Sequence, residues 1–325
     1  MAKFLITGIT GFAGPHLANL LYKEGHEVHG LIRNSNGREQ DIRDVVNDDA
    51  YNNITFHYAD LNNFKLIDKL FKEEIFDGIF HLAAQSHPPT SFFDPVGTFK
   101  ENIMNSANLI NSISENQKDC KIMFCSTSEV YGNQGANGEK IHWDAKLTPS
   151  NPYGLSKATI DMFMQERIEN NYINGFVTRA FSHTGPRRGK NFSISSDAYQ
   201  LVRIKKGYQE PILNIGNLET TRVVIDVRDT VNAYYLAMIS NDTNGEIFNV
   251  CGENPRKMEF FTDLLIEISG IDVEKRISEE LYRPIDIEYQ HGDSSNLIEK
   301  TNWNIEYQIE KTLEDLLQYW MDKIK

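Results

Sequence analysis

The chain has 325 residues, 40% of them hydrophobic, enough for one large domain or two smaller ones around a real core. Lysine and arginine total 33 against 46 aspartates and glutamates, a net charge of -13, which argues against a nucleic-acid-binding surface. No apolar run reaches the roughly 18 residues of a membrane span, and the start, "MAKFLITGITGF", reads straight into a strand without a basic leader or a cleavage site. Cys120, Cys125 and Cys251 stand at no metal spacing, so the expectation is a cytoplasmic protein with reduced thiols, no bound metal and no membrane partner.

The predicted elements alternate. "KFLITG" (Lys3–Gly8) is a buried-strand run, and "GPHLANLLYKEG" (Gly14–Gly25) has helical apolar spacing with a glycine stop. "HEVHGLIR" (His26–Arg33) is a second strand, "LIDKLFKEE" a helix and "FDGIFHLAA" (Phe76–Ala84) a further strand. "GTFKENIMNSANLINSISEN" predicts one long helix, "CKIMFCST" (Cys120–Thr127) a strand, "SKATIDMFMQERIENN" a helix and "NGFVTRAFS" a strand. Strands alternating with helices predict an α/β fold with a parallel sheet covered on both faces. After about Ser182 the alternation breaks down, as expected for a smaller region laid over the sheet's carboxyl edge.

"TGITGFAG" places Gly8, Gly11 and Gly14 directly after the first strand, at the start of the first helix. Glycine lets the backbone turn tightly and approach a pyrophosphate, which then sits on the positive end of the helix. In this strand-turn-helix context the pattern predicts a Rossmann-type, doubly wound, dinucleotide-binding unit over residues 1–181, with a later contribution from about 223–250. Residues 182–325 are left as a mainly substrate-binding α/β region. An NAD enzyme usually carries an acid at the end of the second strand. Here "GLIRNSNGR" has Arg33 and no acid before Glu39, which favours NADP over NAD. Asp60 in "YADLNN" suits the adenine amino group or a simple strand-end turn.

Tyr153 and Lys157 stand four apart on one helix face, where an ammonium lowers the pKa of a phenol and makes it usable as a base. Thr127 and Glu129 are two apart at a strand end, a spacing that aims both into the crevice at the strands' carboxyl ends.

The glycine turn, "HLAAQSH" (His81–His87), "STSEVYG" (Ser126–Gly132), "NPYGLSK" (Asn151–Lys157) and "HTGPRRGKNF" (His183–Phe192) occur in the order found in extended short-chain dehydrogenases/reductases. Within that superfamily the chain resembles the GDP-mannose 4,6-dehydratase group along essentially its whole length. The later "IGNLETTRVVIDVRD" and "YRPIDIEYQHGD" resemble both these dehydratases and the related GDP-4-keto-6-deoxymannose reductases. "Thr-Ser-Glu" matches the dehydratases, whereas the reductases usually have a second serine in place of Thr127.

The resemblance implies a lyase that makes a 4-keto-6-deoxy sugar with internal hydride transfer through NADP. Thr127 would hold the C4 oxygen, Tyr153 take its proton, Lys157 tune Tyr153, and Glu129 perform the C5/C6 chemistry. Thr10, Phe12, Leu61, Leu82, Ala84, His183 and Arg188 would join the glycines, Arg33, Asp60, Tyr153 and Lys157 around the cofactor. Arg187, Arg188, Arg222 and Arg283 fall in segments resembling the nucleotide-binding parts. Of these, Arg222 and Arg283 would hold the substrate diphosphate and ribose, with Asp286 on the ribose hydroxyls. Ser86, Ser182 and Asn191 would complete the substrate site. Three departures leave the sugar open between GDP-mannose, GDP-N-acetylglucosamine and a GDP-heptose. Ser182 replaces an asparagine, Ser196 replaces a lysine, and "HTG" stands for "HES". An NADPH-dependent reductase and a C4 epimerase on the same fold remain alternatives. A non-enzymatic NADP sensor would be expected to lose Tyr153, Lys157 or the glycine turn. The resemblance also suggests a homodimer, extensible to a homotetramer, built on the helices around residues 100–116 and 156–170.

Overall fold

A computed structural model describes residues 1–33 and 37–325. The first half follows the predicted alternation: β1 (Lys3–Thr7), α1 (Ala13–Lys23), β2 (Glu27–Ile32), α2 (Asp48–Asn52), β3 (Ile54–Tyr58), α3 (Phe64–Glu73) and β4 (Gly78–His81). Then come α4 (Pro88–Phe93), α5 (Pro95–Phe99), α6 (Asn105–Asn116), β5 (Lys121–Thr127), α7 (Pro152–Glu169) and β6 (Asn174–Ala180). The second half interleaves short strands with helices: β7 (His183–Thr184), α8 (Ser193–Lys205), β8 (Ile212–Ile215), β9 (Thr221–Arg222), β10 (Ile225–Asp226) and α9 (Val227–Ile239). It ends with β11 (Ile247–Val250), β12 (Arg256–Lys257), α10 (Met258–Ser269), β13 (Glu274–Ile277), β14 (Tyr289–Gln290), α11 (Ser295–Thr301) and α12 (Ile309–Lys323).

Seven parallel strands form the central sheet in the order β11-β6-β5-β4-β1-β2-β3. Both sheet faces are covered, which is why these strands read as near-continuous apolar runs. On one face Leu17 and Leu21 of α1 pack with Val231, Tyr234 and Met238 of α9 against Phe4, Ile6 and Phe80. On the other, Ile67 of α3, Ile110 of α6 and Met164 of α7 pack against Leu5, Ile79 and Ile122. Smaller sheets and α8, α10 and α12 make a third apolar cluster around Leu201, Leu265 and Leu316. The strand order reverses beside β1, between it and β4, and opens a crevice at their carboxyl ends. His81, at the end of β4, is a structural bolt there: Thr7 Oγ1 lies 2.7 Å from its Nδ1 and Ser106 Oγ 2.8 Å from its Nε2. Burial pulls its pKa down to about 3, so it is neutral.

The long helix expected before β5 forms, with its winding changed at one place. Between α5 and α6 the chain takes one π turn, Lys100–Met104. The turn exposes Asn102 to the β4 loop, where its Oδ1 accepts the Gln85 N–H (2.8 Å) and its Nδ2 donates to Gln85 O (3.0 Å) and Ser156 Oγ (2.9 Å). Such turns re-aim a side chain without ending the helix, and here the result fixes "AAQSH" against α7. A second anchor is fully buried. Arg179 of β6 donates to both oxygens of Asp161 on α7 (2.8 and 2.9 Å), to Tyr131 Oη (2.9 Å) and to Trp143 O (2.6 Å). Removing one member of such a pair typically costs about 3–5 kcal/mol, because the other charge is left buried alone.

Candidate active site at the carboxyl edge of the sheet

A cavity of about 800 Å³ follows the crevice from the glycine turn to the second half of the chain. Gly8 has φ 74, and Gly11 N–H donates to Gly8 O at 2.9 Å. A Cβ on Gly14 would stand 2.6 Å from Gly8 O and from Ile9 Cα, so this cradle has no room for a side chain. Arg187, expected among the nucleotide-binding arginines, serves the cradle instead. Its backbone is left-handed (φ 76), and its guanidinium donates to Thr10 O (2.8 Å), Gly11 O (3.1 Å), Asp44 (3.2 Å) and the Asp41 carbonyl. Four partners on the turn and its flank occupy the donors that would have met a phosphate.

Arg188 does face the cavity. It lies between Phe12 and Phe192, 4.7 and 3.5 Å from their ring centroids, and among the described residues no carboxylate pairs with it. Burial draws its pKa down to about 10, so it remains a cation. His183 stacks on Phe12 (5.7 Å) with its Nδ1 against Phe181 O (2.9 Å), and burial lowers its pKa to about 4. At the far wall Arg33 pairs with Glu101 and lies 3.8 Å from Asp60, and Arg38 lines the same end. Leu61, Leu82 and Ala84 line the wall between. Ser126 Oγ, Thr184 Oγ1 and Asn105 Oδ1 are buried in this lining without a partner among the described residues. A glycine cradle, an unpaired guanidinium and three unsatisfied polar atoms fit a nicotinamide dinucleotide.

Thr127 and Glu129 both line the cavity, for a reason other than strand alternation. The strand β5 ends at Thr127, whose hydroxyl accepts the Glu129 N–H (3.3 Å) and starts a 3₁₀ turn over Ser128–Tyr131. Glu129 is therefore on a turn and is held from both sides. Its Oε2 accepts from Asn151 Nδ2 at 2.7 Å, and its Oε1 from Arg283 at 3.3 Å. Asn151 has a second task, because its Oδ1 caps α7 by accepting the Gly154 N–H at 2.8 Å. Pro152 at the first helical position and Tyr153 at the second follow from that cap.

Burial pushes the Tyr153 phenol well above its ordinary value. Cys125 and Glu129 push the same way, while the Thr127 hydroxyl and Arg188 oppose them. Lys157, expected to tune the phenol, follows one helical turn later on α7. Its Nζ lies over the Phe124 ring at 4.3 Å, and burial lowers its own pKa.

Beyond Glu129 the charges alternate. Arg283 approaches Asp286 at 4.0 Å, and Arg222 donates to the same Asp286 oxygen at 3.3 Å. Ser86, Ser182 and Asn191 line the cavity on this side. Sequence reasoning quoted Asn151 without giving it a role. Its signal was present as an asparagine directly before a helix-opening proline. Arg38 carried no such signal, and only the fold shows that it lines the cavity.

A family model described as GDP-mannose 4,6 dehydratase matches residues 5–316. GDP-6-deoxy-D-mannose reductase from Pseudomonas aeruginosa is 27% identical, covering 99% of this chain and 98% of that protein. Human GDP-mannose 4,6 dehydratase is 29% identical, covering 92% of this chain and 86% of that protein. In fold, the structure of RMD from Pseudomonas aeruginosa complexed with NADPH superimposes with a TM-score of 0.84 at 24% identity, over all of both chains. UDP-glucuronic acid 4-epimerase from Bacillus cereus, complexed with UDP-glucuronic acid and NAD, does so with 0.84 at 23% identity, over 99% of each.

Asn151 joins the carboxylate to the helix that carries the phenol, so its two functions should separate. Asn151→Ala should lose about 0.5–2 kcal/mol of stability with the cap, and turnover with it. Asn151→Asp keeps a capping oxygen but no donor for Glu129, so thermal unfolding should recover while turnover does not. Recovery of turnover in Asn151→Asp would show that the contact with Glu129 is dispensable.

Proposed function

We propose, for a chain that belongs to the GDP-mannose 4,6-dehydratase family, that it is a GDP-sugar 4,6-dehydratase. The observation that supports this most is Glu129. A buried carboxylate, fixed by Asn151 and Arg283, lines the cavity beside Thr127 and Tyr153. Transfer of a hydride at C4 has no use for it. Loss of water across C5 and C6 needs a base for the acidic proton next to the C4 ketone, and an acid for the departing hydroxyl.

In this reading Thr127 donates to the sugar's C4 oxygen and Tyr153, as phenolate, removes the C4 hydroxyl proton. Bound NADP supplies the oxidising and reducing capacity, so the reaction consumes no net cofactor. Glu129 takes the C5 proton and returns a proton to the leaving C6 oxygen, which departs as water. Burial favours the neutral phenol, so positive charge from Lys157 and the oxidised nicotinamide is needed to hold Tyr153 as a base. Arg222 and Arg283 hold the diphosphate as bidentate donors, Asp286 the ribose, and Ser86, Ser182 and Asn191 the sugar. GDP-mannose, GDP-N-acetylglucosamine and a GDP-heptose are the candidate substrates. Residues 1–181, with a contribution from about 223–250, make the cofactor half, and the remainder mainly the substrate half.

The reductase is the second reading, favoured by a 27% identical relative of that name that matches nearly full length. One assay separates the two. Incubated with GDP-sugars and no added NADPH, a dehydratase makes 4-keto-6-deoxy product. Glu129→Gln should lower that turnover about 10²–10⁴-fold, yet still give one equivalent of reduced nicotinamide absorbance per site. Tyr153→Phe should give neither absorbance nor product. Near-wild-type product from Glu129→Gln would make Glu129 structural, and reduction of a 4-keto sugar without any dehydration would hand the function to the reductase.

NADP is favoured by Arg33 just past the end of β2, by Arg38 in the same cavity lining, and by the lack of an acid closing that strand. The nucleotide released on denaturation should be NADP(H), and recovery of NAD alone would reject this.

A homodimer is favoured by an apolar stripe left open on α4, α5 and α7. Phe93 is 87% exposed, Val96 75%, Met162 53% and Leu155 47%. Light scattering at micromolar concentration should give a dimer or a tetramer, not a monomer.

A further inference from the structure

The cavity continues past Arg222 and Arg283 to an end that none of the steps above uses. Ile194, Ile215, Leu218, Val224 and Met258 give it apolar walls, and one carboxyl, Asp197, stands among them. Asp197 lies one turn into α8 and is only 4% exposed. Thr262, one turn into α10, donates its hydroxyl to Asp197 Oδ2 at 2.7 Å. Among the described residues Thr262 is the one donor to this carboxyl, and no cation pairs with it. A buried carboxyl left this way is costly unless a ligand supplies the missing donors. Its pKa fits: burial pushes it up to about 7, with only the Thr262 hydroxyl opposing.

The position says which part of a nucleotide sugar arrives there. The sugar end is fixed by Tyr153 and Glu129, and the diphosphate by the two arginines. Met258, which opens α10, donates its N–H to Thr220 O (2.9 Å), two residues before Arg222. That bond puts Asp197 and Thr262 next to the phosphate site, in the same cavity and between apolar walls suited to a flat ring. Guanine is the common base whose edge offers two adjacent N–H donors, N1–H and the 2-amino group. A carboxylate accepts both at once. Uracil offers one N–H between two carbonyls that a carboxylate would repel, and adenine offers an amino group beside an acceptor nitrogen.

We propose that Asp197, oriented by Thr262, receives the N1–H and 2-amino group of guanine and so selects guanosine diphosphate sugars. This rests on the GDP-sugar reading above and names the residue that enforces it.

Calorimetric titration of the whole protein with GDP, inosine diphosphate and UDP tests it. Inosine diphosphate lacks only the 2-amino group. The wild type should bind GDP about 10–100-fold more tightly than inosine diphosphate, the usual worth of a hydrogen bond to a charged group. Asp197→Asn should abolish that preference while NADP(H) binding, which reports on the fold, is unchanged. If Asp197→Asn fails to fold, Thr262→Val should narrow the preference instead. A full GDP preference retained in the folded variants overturns the role of Asp197 and leaves the GDP-sugar reading standing. Tighter wild-type binding of UDP than of GDP overturns both.

Discussion

Everything at the site follows from one topological constraint. Strands on either side of the β1–β4 pair are filled in opposite directions, so the connections after β1 and β4 leave toward opposite faces and cannot close over the sheet edge between them. A crevice there is unavoidable. The glycine turn, the "AAQSH" loop and the end of β5 open onto it because they are the carboxyl ends of neighbouring parallel strands. The π turn at Lys100–Met104 and the neutral His81 then hold those ends still.

Within the crevice the charges are arranged in two styles. Toward the glycine turn the Arg188 guanidinium has no carboxylate among the described residues and stacks on aromatic rings, which leaves it available to an anion. Toward the second half of the chain Glu129, Arg283, Asp286 and Arg222 form an alternating row. Each charge in the row helps to offset the desolvation of its neighbours. On the function proposed above, a diphosphate arriving at Arg222 and Arg283 would compete with Glu129 and Asp286 for them, which would link substrate binding electrostatically to the environment of Glu129.

Precision in that row comes from beneath it. Asn151 ties Glu129 to the first turn of α7. Lower in the same helix Asp161 is locked to Arg179, and Arg179 reaches back to Tyr131, the last residue of the turn that carries Glu129. Phenol, carboxylate and helix thus belong to one hydrogen-bonded block. Placing such a group on rigid elements is what general acid–base chemistry demands, since reach is set to within fractions of an ångström.

The sequence by itself determined the alternating elements of the first half, their parallel arrangement and the glycine cradle, because these depend on local periodicity and on residues within one strand-turn-helix unit. It also named part of the cavity lining, through motifs at strand ends and at the start of α7. Tertiary structure decided what distance along the chain conceals. Arg187 and Arg188 are neighbours with the same chemistry, yet one clasps the glycine turn and the other faces the cavity, because a left-handed backbone turns them apart. Thr127 and Glu129 face the same way through a hydroxyl-capped turn rather than strand pleating. Asp197 gave no signal in a helical stretch, because a carboxyl's character depends on burial and partners, and Thr262, 65 positions on, meets it only in the folded chain.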